Sequence, residues 1–482
     1  MSTSGDIGIL AIGGYTPAWR IRRETIAAAM DWAVPALKGM AKGDRSVANW
    51  DEDAVTMAVE AGRRCLEGRE RSTVTGVSLA GTTLPFADRS NSGILADALN
   101  LDEHIRTEDT GGSRRAATSA LQRLLRQPEN EGSTLLTASD CRETQPGSVQ
   151  EMQYGHGAAA VLIGAGNVLA RCLGSASIHR DLVDQYRAHE VDYDYALEQR
   201  WVQEEGYLKV VPAAVETALE NAEIGVEAVH HLIIPAPAAV ATKLAAKMNM
   251  PDVVIADSLA GQVGDAGAAQ PLLMLAMTLA NAEPGQTILL VGFGQGADAC
   301  VLQTTEAVSD CNHDVVTPGR RLDNYVRFLA LRRQLNPDFG IRAERDNRTA
   351  LSTYYRKRRD ITGFVGGRCG KCNTLQFPRS NTCIHCREMQ TQESESLAEL
   401  SGTVKSFTED WLAYTPSPPL VYGNVTFPDG ANVLMEFTDT VPGEVEVGAE
   451  VRMMFRIKDF DDHRNFRRYF WKSVLTGEAK HG

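Results

Sequence analysis

A duplicated, five-layered α/β sandwich followed by a metal ribbon and a small β-barrel is the fold class that this 482-residue chain predicts. Three observations carry the prediction. Short apolar runs alternate with helical patterns up to residue 306. A Gly-x-Gly-Ala-x-Ala pattern occurs twice, at residues 155–160 and 294–299. Two Cys-x-x-Cys pairs then precede a series of short strand-like runs. At about 150 residues per domain, the length alone implies two or three folding units.

The elements follow in order. Residues 7–12 read as a strand ended by the turn Gly13-Gly14-Tyr15-Thr16-Pro17, and residues 23–29 and 53–66 as helices. Residues 135–138, 161–163, 232–234 and 288–291 read as strands, so strands and helices alternate as in an α/β domain with a parallel or mixed sheet. The repeat lies inside this stretch. A helical pattern at 116–125, the strand 135–138 and the first glycine pattern are matched by a helical pattern at 268–279, the strand 288–291 and the second glycine pattern. The glycines are expected to allow tight turns with positive φ, and the alanines close packing. A single dinucleotide-fold domain with unrelated glycine turns is the alternative.

Residues 307–362 read as a basic helical connector, with Arg320, Arg321, Arg327, Arg332, Arg333, Arg342, Arg345 and Arg348 among its cations and a helix over 324–334 ended by Asn336-Pro337. A solvated linker is the plain reading, and a basic surface for phosphates or an acidic partner the sharper one. After a ribbon at 363–395, the runs 402–408, 420–427, 431–437, 450–457 and 466–474 read as five strands of an OB-type barrel spanning 396–482.

Composition excludes several classes. The net charge of −13 and pI of about 5.4 argue against bulk nucleic-acid binding. No apolar run approaches the roughly 18 residues of a membrane span. Residues 1–6 are short and polar, unlike a secretory leader, so a cytoplasmic protein is expected. The nine cysteines fit a reducing compartment with one metal site better than a disulfide framework.

That site is Cys369-x-x-Cys372 and Cys383-x-x-Cys386, ten residues apart. Each pair aims two thiolates at one point, and four thiolates complete a tetrahedral shell suited to Zn²⁺. A closed shell leaves no position for water, so the zinc is structural. His385, inside the second pair, is expected to be exposed or to lie behind the ligands.

Residues 5–305 resemble the hydroxymethylglutaryl-CoA synthase branch of the thiolase superfamily. The matching stretches are Gly13 to Pro17 with Arg20-Ile21, the run from Asp51-Glu52-Asp53 to Ala61, Ala138-Ser139-Asp140, Gly147-Ser148 with Glu151, residues 155–164 and Glu283-Pro284-Gly285. The C-terminal part resembles the rubredoxin-like zinc-ribbon and OB-fold modules that accompany thiolases, through the four cysteines, Phe377-Pro378-Arg379, Gly402-Thr403-Val404 and Tyr469-Phe470-Trp471-Lys472. The resemblance implies a thiolase-type domain over 1–306 and a coenzyme A thioester as substrate or ligand.

It also implies a cysteine nucleophile at a helix start, activated by the helix dipole and a histidine, with a glutamate for proton transfer and an oxyanion hole. Here those positions depart. The cysteine position falls at Arg114 with Ser113 beside it, the glutamate near Thr82, the histidine near Pro235 and the asparagine at Asp265. No cysteine lies in residues 109–125 and no histidine in 232–250. Ser113 lacks an evident base, Cys141 reads as a packed residue, and His156 reads as surface or partner-facing. Arg114 and Arg115 place positive charge at this helix start, for one of them either to hold a coenzyme A phosphate or to bridge to Asp265, and an arginine–aspartate pair filling the vestigial pocket is a coherent replacement.

The resemblance then implies a non-catalytic thiolase-like subunit, homodimeric or hetero-oligomeric, working with a catalytic thiolase or acyltransferase. This is the plan of multi-subunit thiolases and phloroglucinol-type acyltransferases. One alternative is an autonomous acyl-CoA condensing enzyme. The other is a single-stranded nucleic-acid binder stacking bases on Phe427, Phe455 and Phe470 beside Arg452, Arg456, Arg467 and Arg468.

Overall fold

The computed structural model describes residues 7–127, 132–311, 315–344 and 346–476. Residues 1–6, read above for a leader, and Arg345 of the basic connector lie outside them. The chain forms two compact units. The first comprises residues up to 325 except 49–52 and 96–100, and those two short segments count with residues 326–482 in the second.

In the first unit the duplication is visible in the strand order. The first half contributes β1 (Ile7–Tyr15), β2 (Val74–Ala80), β3 (Arg106–Thr110), β4 (Ser133–Asp140) and β5 (Gly157–Ala165), arranged β3-β2-β4-β5-β1. The second contributes β6 (Ala170–His179), β7 (His231–Ile233), β8 (Val254–Ile255), β9 (Thr287–Phe293) and β10 (Gly296–Thr304), arranged β8-β7-β9-β10-β6. Both orders are third-second-fourth-fifth-first. In both, the three strands at the outer end pair in parallel and the remaining neighbours pair antiparallel. A short antiparallel contact, Gly8↔Arg171 and Ile9↔Ala170, joins the halves.

The helices complete the layers. Helix α1 (Ala54–Cys65) begins at Asp53, whose carboxylate accepts from Val55 and Thr56 N–H at 3.0 Å while Thr56 Oγ1 accepts from the Asp53 N–H at 2.8 Å. It packs on β1, β4 and β5. Helices α2 (Ala116–Leu125) and α5 (Gln270–Leu279) form the middle layer, where Leu121, Leu124, Leu272, Leu273 and Leu275 are buried among β-strand residues of both halves. Helices α3 (Leu208–Asn221) and α4 (Ala238–Lys247) cover the other face of the second half. The fold is the thiolase-type five-layered sandwich.

The glycine patterns work differently from expectation. Only Gly296 has a positive φ, 131°. Gly155 is required because a Cβ there would lie 1.9 Å from the Val263 carbonyl oxygen, so close approach rather than backbone handedness selects it. The connector is also not a separate linker. Arg320–Arg321 pairs in parallel with Trp19 and Arg20 in the first unit, while residues from 326 onward belong to the second. The helix read over 324–334 is shorter, Tyr325–Leu331.

In the second unit, β11 (Val365–Cys369) lies between β12 (Leu375–Gln376) and β13 (Gln392–Ser396) as the ribbon. The five barrel strands are β14 (Gly402–Asp410), β15 (Leu420–Thr426), β16 (Asn432–Glu436), β17 (Glu450–Asp461) and β18 (Phe466–Leu475), in the order β16-β15-β14-β17-β18. A bridge between Phe437 and Ser473 brings the end strands together and closes the barrel. Phe455, Tyr469 and Trp471 fill it, each 0% exposed. Phe427, Phe455 and Arg456 are therefore core residues and do not form an exposed stacking platform.

Candidate functional site

Each cysteine pair forms the same knuckle. Cys369 N–H donates to Thr374 O at 3.0 Å and Asn373 N–H to Cys369 O at 2.8 Å; Cys383 N–H donates to Glu388 O at 2.9 Å and Arg387 N–H to Cys383 O at 3.0 Å. The fifth residue of each turn, Asn373 and Arg387, has φ of 62° and 63°. The two turns bring all four sulfurs within 4.8 Å of one another. Cys369 and Cys386 sulfurs lie 3.7 Å apart, and Cys372 and Cys383 sulfurs 3.6 Å. A tetrahedral zinc with bonds of about 2.3 Å requires edges of about 3.8 Å, so the donor set fits Zn²⁺. Thr391 and Thr374 hydroxyls stand 3.3 and 3.2 Å from the Cys369 and Cys372 sulfurs. His385 is exposed and not among the grouped ligands.

In the first unit, each of the five positions singled out by sequence has a hydrogen-bond or ion-pair partner, and Arg114 and Asp265 pair with each other. Arg114 and Arg115 precede helix α2, at the end where the helix dipole disfavours cations. Each has an aspartate partner from the second half. Arg114 donates to the Asp265 carboxylate, one of the alternatives left open by the sequence. Arg115 donates to Asp298 at 2.7 Å, and the same buried carboxylate accepts from Ser177, Thr118 and Ser119 hydroxyls.

A second arginine, which the sequence reading missed, completes the arrangement. Arg142, 2% exposed, lies 3.1 Å from Asp265 Oδ1, donates to the Asp265 carbonyl oxygen at 2.8 Å, and sits 3.5 Å from the Tyr154 ring centroid. Asp265 thus bridges two guanidinium groups. Burial pushes its carboxyl up, but Arg114 and Arg142 outweigh that and hold it well below the usual carboxylate range. Burial works against the Arg114 charge in turn, and Asp265 more than compensates.

The remaining positions are each engaged elsewhere. Ser113 Oγ donates to the Gly294 carbonyl oxygen at 2.9 Å and receives the Arg115 N–H at 3.4 Å, so its hydroxyl proton faces a carbonyl rather than a base. The Thr82 N–H and hydroxyl both donate to Asp140, at 2.7 and 3.0 Å, and Asp140 also accepts from Thr83 and from the Ala268 N–H. The Pro235 carbonyl accepts from Tyr207 OH at 3.1 Å, and burial pushes that phenol up to about 12 against the opposing charge of Arg114. Cys141 is buried. His156 is neither exposed nor partner-facing. At 1% exposure, its Nδ1 accepts from Ala48 N–H at 2.8 Å and its Nε2 lies 3.1 Å from Arg142 O, which makes it a neutral internal bridge.

A third cluster, also missed from sequence, lies in the second unit. Arg456 Nη2 contacts Glu52 at 3.1 Å and Asp439 at 2.9 Å, while Lys472 Nζ contacts Asp51 at 2.9 Å and Glu436 at 3.1 Å. All six residues except Glu436 are almost wholly buried. The pair Asp51-Glu52, read as a family signature, therefore neutralises two buried cations of the barrel. The clue in the sequence was a lysine and an arginine inside strands whose neighbours are apolar.

Comparison with known proteins agrees with this architecture. Residues 361–390 match the family described as ChsH2, rubredoxin-like zinc ribbon domain. The hydroxymethylglutaryl-CoA synthase of Pyrococcus horikoshii is 26% identical over 338 residues, which cover 68% of this chain and 93% of that protein. The Archaeoglobus fulgidus synthase is 29% identical over 317 residues, covering 63% and 91%. Among solved structures, MvaS in complex with 3-hydroxy-3-methylglutaryl coenzyme A superposes with a TM-score of 0.60 at 17% identity, covering 70% of this chain and 94% of that one. HMG-CoA synthase complexed with CoA gives 0.56 at 15% identity, covering 81% and 100%. The chain is a thiolase-fold domain, similar in sequence to hydroxymethylglutaryl-CoA synthases, joined in one polypeptide to a zinc ribbon and a small β-barrel. No helix among the described residues is long and apolar enough to cross a membrane.

Proposed function

We propose that this chain is a cytoplasmic, non-catalytic, acyl-CoA-linked subunit that assembles with a catalytic thiolase or acyltransferase and helps to form the channel for the coenzyme A thioester. One observation carries this reading: Arg114, with its charge fixed by Asp265, stands at the helix start where acyl transfer requires a thiolate. A thioester carbonyl arriving there meets a paired guanidinium and a Ser113 hydroxyl that donates to Gly294 O. Neither can accept an acyl group without a base. Thr82, Pro235 and Asp265 are read as vestiges of the other catalytic positions, and each is now engaged with another group: Asp140, Tyr207 and Arg114 respectively. The partner is inferred from the zinc ribbon and barrel carried in the same polypeptide, a module that accompanies thiolases.

The deciding measurement is intact mass after incubation of the purified chain with isotopically labelled acetyl-CoA. No covalent acyl adduct is expected, whereas co-purification with a thiolase from native extract is. An acyl adduct lost on Ser113→Ala would overturn the proposal in favour of an autonomous condensing enzyme, the reading favoured by the 26–29% identity to synthases.

The same network makes a stability prediction. Arg114→Ala leaves the Asp265 carboxylate with Arg142 and the Gly267 N–H and is expected to cost about 1.5–3 kcal/mol, the range for hydrogen bonds to charged groups. Ser113→Ala should cost under about 1 kcal/mol and leave the activity of the assembled complex nearly unchanged. Urea unfolding of the two variants side by side checks the difference; equal midpoints would remove the pair's structural role.

A further inference from the structure

Cys172 and Cys300 lie on neighbouring strands β6 and β10, and their sulfurs are 3.6 Å apart without a bond. The contact depends on a β-bulge. Along most of the pair the register is regular, from Gly296↔His179 to Val301↔Gly174. It then shifts by one residue, so that Leu302 faces Cys172 and Leu173 is left without a partner. In an unbroken register, Cys172 would oppose residue 303 and point to the face opposite Cys300. The shift turns it to the face that Cys300 shares with Leu302, and the two thiols become diagonal neighbours.

The two thiols differ in ways that suit sequential chemistry. Cys300 is buried, 2% exposed, on the face of β10 that packs into the core around the middle-layer helices, while Cys172 is partly exposed at the edge of that core. The hydrogen bond with Cys300 holds the Cys172 thiol below its usual range, with the nearby Arg126 guanidinium adding to the effect. Arg126 is itself fixed beside this strand by bonds to Ser175 Oγ at 3.0 Å and Ser175 O at 2.9 Å. Burial pushes the thiols of Cys65 and Cys311 up instead, to about 12 and about 11.

We propose that Cys172 and Cys300 are a peroxide-sensitive dithiol that closes to a disulfide, a modification site independent of the zinc cysteines. The Cys172 thiolate attacks one peroxide oxygen and the O–O bond breaks, giving a sulfenic acid and hydroxide. The Cys300 thiol then attacks the Cys172 sulfur, the S–O bond breaks, and the departing hydroxide takes the Cys300 proton. Overall, two thiols and hydrogen peroxide yield one disulfide and two waters. The sulfurs must close from 3.6 Å to about 2.0 Å for the bond to form. The bond would link residues 128 apart and fasten β6 to β10 inside the second half of the sandwich.

The test treats the zinc-loaded full chain with hydrogen peroxide, alkylates the remaining thiols and maps the peptides by mass spectrometry. A peptide pair joined through Cys172 and Cys300, lighter by two hydrogens and cleaved by dithiothreitol, is expected. A denaturant midpoint higher than that of the reduced protein should accompany it. In Cys300→Ser, Cys172 should instead be trapped as a sulfenic-acid adduct with dimedone. Recovery of both wild-type cysteines as alkylated thiols, or of Cys172 only as sulfinic acid or an intermolecular disulfide, overturns the proposal. The wild-type map decides without reliance on any variant folding.

Discussion

Cys372→Ser is expected to abolish stoichiometric zinc binding and unfold the ribbon. Elemental analysis of the wild-type chain should give one zinc per polypeptide and of the variant none. The effect is large because the ribbon has little else to hold it. Its sheet consists of strands of five, two and five residues. Two of the ligands, Cys369 and Cys383, are buried and would be left as a cluster of unneutralised thiolates or unsatisfied thiols. Structural zinc contributes apparent binding energies on the order of 10–16 kcal/mol, all of it coupled to folding of the site. Chelation of the wild-type protein should reproduce the variant's loss of structure, and zinc should reverse it. A freshly purified, unchelated protein devoid of zinc would refute the assignment.

The second large effect is expected from Arg456→Met. The substitution preserves length and apolar bulk but leaves Glu52 and Asp439 without the guanidinium that contacts both at 3.1 and 2.9 Å. Breaking one side of a buried ion network typically costs about 3–5 kcal/mol, because the remaining charges stay desolvated. Arg333→Met is the control. That side chain is 51% exposed and its partner Asp462 69%, and loss of the pair should cost about 0–1 kcal/mol as for surface pairs. Calorimetry of the full chain should show the barrel transition moving to much lower temperature in the first variant only.

The same cluster sets an acid limit. Burial pushes the Glu436 carboxyl up, but Lys472 and Lys458 outweigh it and bring it to about 2, below the ordinary value of about 4.3. A depressed folded-state pKa means that this contribution is complete above about pH 4.3 and is lost as pH falls toward 2. Asp265 acts in the same direction in the first unit. Stability that rises on acidification through this range would contradict both ion networks.

Much of the molecule was legible in the residues. Spacing alone identified the zinc ligands, since two Cys-x-x-Cys turns of the same local geometry need only a short connection to meet at one point. The repeat was legible because duplicated strands keep their apolar periodicity and their small-residue turns, and the strand orders of the two halves coincide. An arginine–aspartate pair at this place was one of two readings open in the residues, the other being a coenzyme A phosphate held by Arg114 or Arg115, and in the fold Arg114 pairs with Asp265.

Other features required the tertiary structure. The boundary between units lies at residue 325 rather than 306, because Arg320–Arg321 adds to a strand formed by Trp19–Arg22, some 300 residues earlier. No local pattern encodes that pairing. His156 looked exposed because a histidine among glycines resembles a turn residue, yet its ring bridges Ala48 and Arg142 from separate segments. Arg142, the Asp51-Glu52 pair and the Cys172–Cys300 contact share this origin. Sequence determines periodicity, turn chemistry and short-range ligand spacing, which depend on residues a few positions apart. Which distant charge neutralises which, and which two thiols a single bulge brings to one face, depends on three-dimensional register, and only the folded chain decides it.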